Sequence, residues 1–135
     1  MARTQTEGVV SVAPRLEGQR VTRACFDYAA TLCTESGFEL RLGTTFVIRD
    51  PDGLATTIQP DAPGMAAVQV LALLHGAVDI VEVQPSGLLT VSFVDGQELL
   101  VRPHPEYEAW TIVGPRGERT VCIPGGGISE WSPTA

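Results

Sequence analysis

The sequence predicts an α+β domain in which antiparallel strands dominate and one helix, at about 63–75, connects two similar halves. Three observations support this prediction. Apolar residues recur mostly at every second position, as in strands with one buried face. Short turn motifs containing glycine separate these runs. One uncharged segment departs from the alternation and suits a helix.

The chain has 135 residues, which is enough for one domain with one hydrophobic core. We expect a single β-rich domain over 17–131. Residues 1–16 are mostly polar and weakly periodic, and they are predicted to form a flexible N-terminal tail. Residues 132–135 are predicted to form a second short tail.

Eleven segments have the composition and alternation of strands. They are 20–26, 29–35, 38–42, 45–49, 55–59, 79–84, 88–94, 98–102, 109–113, 119–123 and 127–131. Turn motifs separate most of them, at 36–37, 52–53, 86–87, 95–96, 116–117 and 125–127. This order predicts an antiparallel β meander interrupted by one helix.

The helix at about 63–75 has recognisable ends. Asp61 can cap its first turn, Pro63 suits a first helical position, and Gly76 suits the position after its C-terminus. We expect the sheet to curl around this helix or to pack against it.

The same helix is apolar nearly all round. Residues 62–78 contain no Asp, Glu, Lys or Arg, and their polar side chains are Gln69 and His75. A helix of this kind is covered on more than one side. It either lies in a concave sheet under loops, or forms a homodimer interface that would include Gln69 and Leu73.

The two halves of the chain resemble each other. Residues 21–42 align with 80–101 without a gap, and 45–60 align with 109–124, with nine identities over 38 positions. The identities fall mainly on turns and strand centres, so an internal two-fold repeat of 21–60 and 80–124 is predicted. Turn glycines shared by any two meanders are the alternative explanation.

The aligned blocks are separated by spacers of unequal length. The spacer is residues 43–44 in the first half and residues 102–108 in the second half. The second spacer is thus five residues longer, and the β scaffold does not require these extra residues. Loops carried on a rigid frame often hold binding residues. Four polar residues of this insertion are therefore candidates for partner binding: His104, Glu106, Tyr107 and Glu108. The alternative is a surface loop with Tyr107 lying over the core edge. Trp110, aligned with Phe46, is predicted to be a core residue.

Composition limits the chemistry. The net charge is -7 and all nine basic residues are arginine. An acidic surface repels phosphate backbones, so no nucleic-acid partner is predicted, and a basic protein partner is favoured. The chain has no lysine, which excludes Schiff-base and Walker chemistry. We assign no catalytic residue.

No segment has the apolar length of a signal peptide or a membrane span, so a cytoplasmic protein without membrane contact is predicted. Its three cysteines would then be reduced thiols. Two histidines and three cysteines without C-x-x-C or H-x-x-x-H spacing predict no metal and no cofactor. A cysteine–histidine nucleophile pair stays open, because such partners meet only in the fold.

Several motifs carry a family resemblance. They are L-L-H-G at 73–76, F-V-D-G at 93–96, Y-E-A-W at 107–110 and V-C-I-P-G-G-G at 121–127, closed by Trp131. With these motifs, about 20–131 resembles a small uncharacterised family from GC-rich actinobacteria, which implies no activity to transfer. The size and acidic β-rich character are also similar to those of immunity proteins of bacterial toxin systems, a likeness without a shared motif.

The favoured hypothesis is a non-catalytic protein-binding module, for example an immunity or accessory protein. The alternative is a small-molecule-binding protein or an enzyme with a pocket between the curved sheet and the helix. That pocket would use His75, His104, Tyr107 or a cysteine. A homodimer through helix 63–75 is compatible with both hypotheses.

Overall fold

The computed structural model describes residues 16–131, so the predicted tails lie outside the described residues except for Leu16, which is buried. All eleven predicted strands are present. They are β1 Val21–Phe26, β2 Ala30–Thr34, β3 Glu39–Leu42, β4 Phe46–Arg49, β5 Ala55–Ile58, β6 Val78–Val83, β7 Leu89–Phe93, β8 Glu98–Val101, β9 Trp110–Val113, β10 Arg119–Cys122 and β11 Ile128–Trp131. The α+β class with mainly antiparallel strands is confirmed.

The strands form two antiparallel sheets. The first has the order β1-β2-β3-β9-β10-β11, and the second has the order β5-β4-β8-β7-β6. Alternate side chains of both sheets enter one hydrophobic cluster, as in β7, where Leu89, Val91 and Phe93 are buried. The period-two pattern of the sequence thus reports a real buried face.

Each sheet combines three strands of one half with two repeat strands of the other half, and the first sheet has β11 as its sixth strand. The first-half meander β1–β3 is extended by β9 and β10, and the second-half meander β6–β8 is extended by β4 and β5. The last two strands of each repeat are therefore exchanged between the halves. This exchange relates the halves by a pseudo-two-fold axis, with β11 as an addition to the first sheet.

The exchanged strands pair in the same register on both sides. Leu40 of β3 pairs with Ile112 of β9, and Leu99 of β8 pairs with Ile48 of β4. The sequence alignment had matched Leu40 with Leu99 and Ile48 with Ile112. One contact is thus made twice, which explains why these positions are identical in the two halves.

The gapless alignment of 21–42 with 80–101 is wrong in its first strand. Both hairpins shift register at equivalent places, between Val21 and Arg23 in β1 and between Val78 and Ile80 in β6. Equivalent residues of β1 and β6 are 57 positions apart in the sequence. Equivalent residues of β2 and β7 are 59 positions apart, which is the offset of the gapless alignment. The turn between β6 and β7 is two residues longer than the turn between β1 and β2, so a gap belongs there.

The two sheets meet at the axis. Arg20 and Ala77, which are equivalent in the repeat, form an isolated antiparallel bridge. Two equivalent hydrogen bonds flank it: Gly18 N–H to the Val78 carbonyl at 2.8 Å, and His75 N–H to the Val21 carbonyl at 2.7 Å. His75 consequently adopts a left-handed backbone with φ of 69°, where its counterpart Gly18 has 86°.

The helical segment between the halves is shorter than the predicted 63–75. A 3-10 turn over Gly64–Ala66 leads into the five-residue helix α1, Ala67–Leu71, and turns continue to His75. No side chain caps either element. Within residues 16–131, no helix is long and apolar enough to span a bilayer.

Of the two arrangements expected for this segment, the sheets do not curl around it but pack against one side of it. Val70 and Leu73 pack in the core, but Met65 is 86% exposed, and Val68 and Leu71 are also exposed. The helical segment is therefore apolar on two faces. One face is buried in the core, and the described residues do not cover the other.

Two turns of each half touch turns of the other half. A Cβ atom added to Gly37 would lie 3.3 Å from the Cβ of Pro115, and one added to Gly96 would lie 3.2 Å from the Cβ of Pro51. The alignment pairs Gly37 with Gly96 and Pro51 with Pro115. These identities are thus explained by one close approach between the halves, present twice.

We expect Gly96→Ala to lower the free energy of unfolding more than Gly53→Ala. Both glycines have φ above 90°, so each alanine is strained by about 1 kcal/mol. Only the Gly96 methyl group meets Pro51, which adds about 1 kcal/mol, whereas nothing lies within 4 Å at Gly53. Urea unfolding measures both losses, and equal losses would contradict the proline contact.

Candidate functional site

The chain crosses between the sheets twice, through residues 43–45 and through residues 102–109. The two crossovers touch at Gly43, whose N–H donates to the Ala109 carbonyl at 2.9 Å. A Cβ atom at Gly43 would lie 2.8 Å from the Glu108 carbonyl oxygen, so the close approach requires glycine. The insertion predicted from the spacer lengths is the longer crossover.

The glycine run 125–127 holds the insertion from the other side. Gly125 N–H donates to the His104 carbonyl at 2.8 Å, and Gly127 N–H donates to the Ser86 carbonyl at 2.9 Å. A Cβ atom at Gly126 would lie 2.9 Å from the same Ser86 oxygen. All three glycines have positive φ, so backbone conformation and tight packing together explain the run.

His104 and Tyr107 lie against each other, with ring centroids 4.8 Å apart and planes tilted by 36°. The backbone N–H of Glu106 donates to His104 Nδ1 at 3.0 Å. This hydrogen bond assigns the proton of a neutral imidazole to Nε2. It also closes the turn from His104 to Glu106, which directly precedes Tyr107 in the chain.

The four candidate residues of the insertion have different surroundings. His104 is half-buried and lines a cleft together with Tyr107, whose side chain is 61% exposed. Glu106 and Glu108 are exposed residues on the same loop. The insertion thus presents one aromatic pair toward a cleft and two acidic residues to solvent.

The cleft lies between the two crossovers and has a volume of about 270 Å³. Its lining residues are Tyr28, Gly43, Thr44, Thr45, Pro60, Asp61, His104 and Tyr107. Tyr28 comes from the turn between β1 and β2 and is 88% exposed, whereas Asp61 follows β5. Sequence reasoning missed Tyr28, Thr44 and Asp61, because strand exchange brings these first-half residues to the second-half insertion.

A second cleft of about 260 Å³ adjoins the first. The two share Thr44, Thr45 and His104, and the second is otherwise lined by Phe46, Val47, Leu100, Arg102 and Pro103. Asp61 therefore marks one side of the shared wall and Arg102 marks the other. No residue of α1 lines either cleft, so neither is the sheet–helix pocket of the alternative hypothesis.

Thr44 stands in this shared wall with an unused hydroxyl group. Its Oγ1 atom is buried and has no hydrogen-bond partner among residues 16–131. Buried polar atoms are nearly always paired, so an orphaned hydroxyl beside a cleft is a candidate ligand contact. The sequence offered no signal for it.

The cysteines lie apart from this site. Cys25, Cys33 and Cys122 are free thiols. Burial raises the pKa of the Cys33 thiol, with a further rise from Glu39, and burial also raises the pKa of the Cys122 thiol. Both thiols are therefore poor thiolate nucleophiles at neutral pH. Among the described residues, no group of three His, Cys, Asp or Glu side chains could hold a metal ion.

The two tryptophans have different roles. Trp110 is buried, as predicted, and its indole N–H donates to the Gly87 carbonyl at 2.8 Å. It links β9 to the turn between β6 and β7 and is a packing residue. Trp131 is 54% exposed on β11, the outermost strand of the first sheet.

We expect Thr44→Val to raise the free energy of unfolding by about 1 kcal/mol, because an unpaired buried hydroxyl is replaced by a methyl group of similar shape. Thr45→Val is the matched control, and its exposed side chain predicts a change within about 0.5 kcal/mol. Urea unfolding measures both variants. A clear loss of stability in Thr44→Val would show that the hydroxyl has a partner.

Comparison with known proteins gives one match. A model described as a family of unknown function (DUF6188) matches residues 12–132, nearly the whole chain. No curated protein and no solved structure matches the chain. The resemblance to an uncharacterised family is confirmed at that level, and the chain belongs to the family of unknown function DUF6188.

Proposed function

We propose that this protein is a non-catalytic binding module that recognises a protein partner, for example as an immunity or accessory protein. Its recognition surface is the longer crossover, 102–109, which contains the insertion, together with the cleft between the crossovers. The observation that supports this most is the pair Tyr28 and Tyr107, two largely exposed tyrosines on one cleft. Exposed aromatic side chains are enriched at protein interfaces.

The insertion is suited to recognition because its ends are fixed. Backbone hydrogen bonds attach it to Gly43 through Ala109 and to Gly125 through His104. A fixed loop loses little conformational entropy when a partner binds. The side chains it presents can therefore contribute to affinity at low ordering cost.

The charge of the surface indicates the kind of partner. The chain carries a net charge of -7, Asp61 lines the cleft, and the exposed Glu106 and Glu108 flank Tyr107 in the sequence. Complementary charge accelerates association and suppresses wrong partners. A basic protein surface is the complement of this one.

The double variant Tyr107→Ala/Glu108→Ala should abolish partner capture while changing the melting temperature little, because both side chains are exposed. The measurement is affinity capture from the lysate of the native host, with mass spectrometry of the captured proteins. The double variant Asp52→Ala/Leu54→Ala removes the same charge and a similar exposed side chain outside the cleft, and it should retain the partner. Equal capture by both double variants would reject the insertion as the binding surface.

A homodimer through the helical segment is the second proposal. The observation in its favour is the exposed apolar face of Met65, Val68 and Leu71. Of the two residues predicted for this interface, Gln69 is half-buried, and Leu73 is 1% exposed and packs in the core. A second copy would therefore contact the three exposed residues instead of Leu73.

Val68→Arg should convert such a dimer into a monomer, because a charge would be buried at the interface without a partner. Light scattering gives the mass in solution. Val94→Arg, at an exposed valine outside the helical segment, is the matched control and should leave the dimer intact. A monomeric wild-type protein, or a dimer unchanged by Val68→Arg, would reject this interface.

A further inference from the structure

We propose that the cleft between the crossovers binds an arginine side chain of the partner, with its guanidinium between Tyr28 and Tyr107 and paired with Asp61. This inference rests on the proposed function and names the chemical group that the recognition surface selects. The ligand is one side chain of a protein and not a free metabolite.

The two tyrosines supply faces for a planar cation. Both line the cleft, and both are largely exposed, so neither ring is occupied by packing in the core. A guanidinium stacks on aromatic faces and is attracted by their quadrupole. His104, 4.8 Å from the ring of Tyr107, holds that ring in place before the ligand arrives.

Asp61 gives the cleft its charge. The lining contains this carboxylate and no arginine, and the ion pairs described in residues 16–131, Arg41 with Asp27 and Arg49 with Glu98, do not involve it. A guanidinium matches a carboxylate through two parallel hydrogen bonds, which an ammonium group cannot form. Asp61 should therefore favour a planar guanidinium over an ammonium group of the same charge.

Thr44 adds an acceptor within the same wall. Its hydroxyl is buried and has no partner among the described residues, and rotation about χ1 would turn it toward a guanidinium, which has five N–H donors to satisfy. On the other side of this wall, Arg102 lines the second cleft and would repel a further cation. The site should therefore prefer a single arginine over a polybasic stretch.

The dimensions favour a side chain over a whole small molecule. At about 270 Å³, the cleft is slightly below the roughly 300–1,000 Å³ usual for small-molecule sites. It is also bounded by the exposed crossover loop and not enclosed by the core. A side chain presented by a protein surface fits such a cleft.

Amide-resolved NMR titration of the full chain with acetyl-Gly-Arg-Gly-amide tests this inference. We expect shifts at Tyr28, Thr44, Asp61 and Tyr107. The same peptide with citrulline, which keeps the shape and loses the charge, should bind at least about fivefold more weakly. A lysine peptide should fall between the two.

Two cleft variants and one control variant connect the shifts to the cleft. Asp61→Asn should weaken the arginine peptide at least about fivefold, whereas Asp52→Asn, on a turn outside the cleft, should not change its affinity. Thr44→Val should weaken binding although it stabilises the fold, so that unfolding cannot explain the loss. Well-dispersed spectra of all three variants confirm that each is folded.

The inference is overturned by equal binding of the arginine and citrulline peptides, by shifts outside the cleft, or by no shift up to about 10 mM peptide. Free L-arginine that binds more tightly than the blocked peptide would also overturn it, in favour of a metabolite. Partner capture that depends on Tyr107 and Glu108, without arginine binding, would retain the proposed function and reject this inference. Arginine-peptide binding without such capture would reject the proposed function, and with it the partner as the source of the arginine, and would leave only a cleft that binds arginine.

Discussion

The exchange of strand pairs between the two halves is the constraint on which the rest of the structure depends. Neither meander finishes its own sheet: β4–β5 complete the second sheet, and β9–β11 complete the first. Leu40 with Ile112, and Ile48 with Leu99, join the halves in equivalent registers. Buried cross-strand pairs specify register, because a slip of one residue would expose the whole apolar face. The shared core therefore belongs to both halves at once.

The exchange also explains where the candidate site lies. Strands can change sheets only through a crossover, and the pseudo-two-fold symmetry brings the two crossovers together at Gly43. The crossover 43–45 connects the sheets with three residues, whereas the crossover 102–109 has eight. Most residues of the longer crossover are therefore not needed for the connection and are available to bind a partner. The scaffold has pseudo-two-fold symmetry but the cleft does not, because only the second-half crossover contains the insertion with His104 and Tyr107. A symmetric frame with one modified crossover can acquire a binding surface without altering its core.

Much of the fold could be predicted from the sequence, because period-two alternation and turn glycines report local backbone directly. The insertion could also be located, since the spacers of the repeat differ in length. Strand partners could not be predicted: alternation identifies the buried face of β3 but does not distinguish β4 from β9 as its neighbour. For that reason Tyr28 and Asp61 were missed as neighbours of Tyr107. The helix was predicted too long because Pro63 and Gly76 were interpreted as its ends, whereas α1 ends at Leu71 and turns continue to His75. Its apolar composition predicted cover on more than one side, whereas Met65 and Val68 are exposed.

Backbone NMR tests the strand exchange most directly, through cross-strand nuclear Overhauser effects in the full chain. Antiparallel neighbours bring backbone protons close enough for strong effects. The account predicts them between Leu40 and Ile112 and between Ile48 and Leu99. Effects between β3 and β4, as in a simple hairpin of the first half, would contradict the exchange and would remove the physical basis for a cleft shared by both halves.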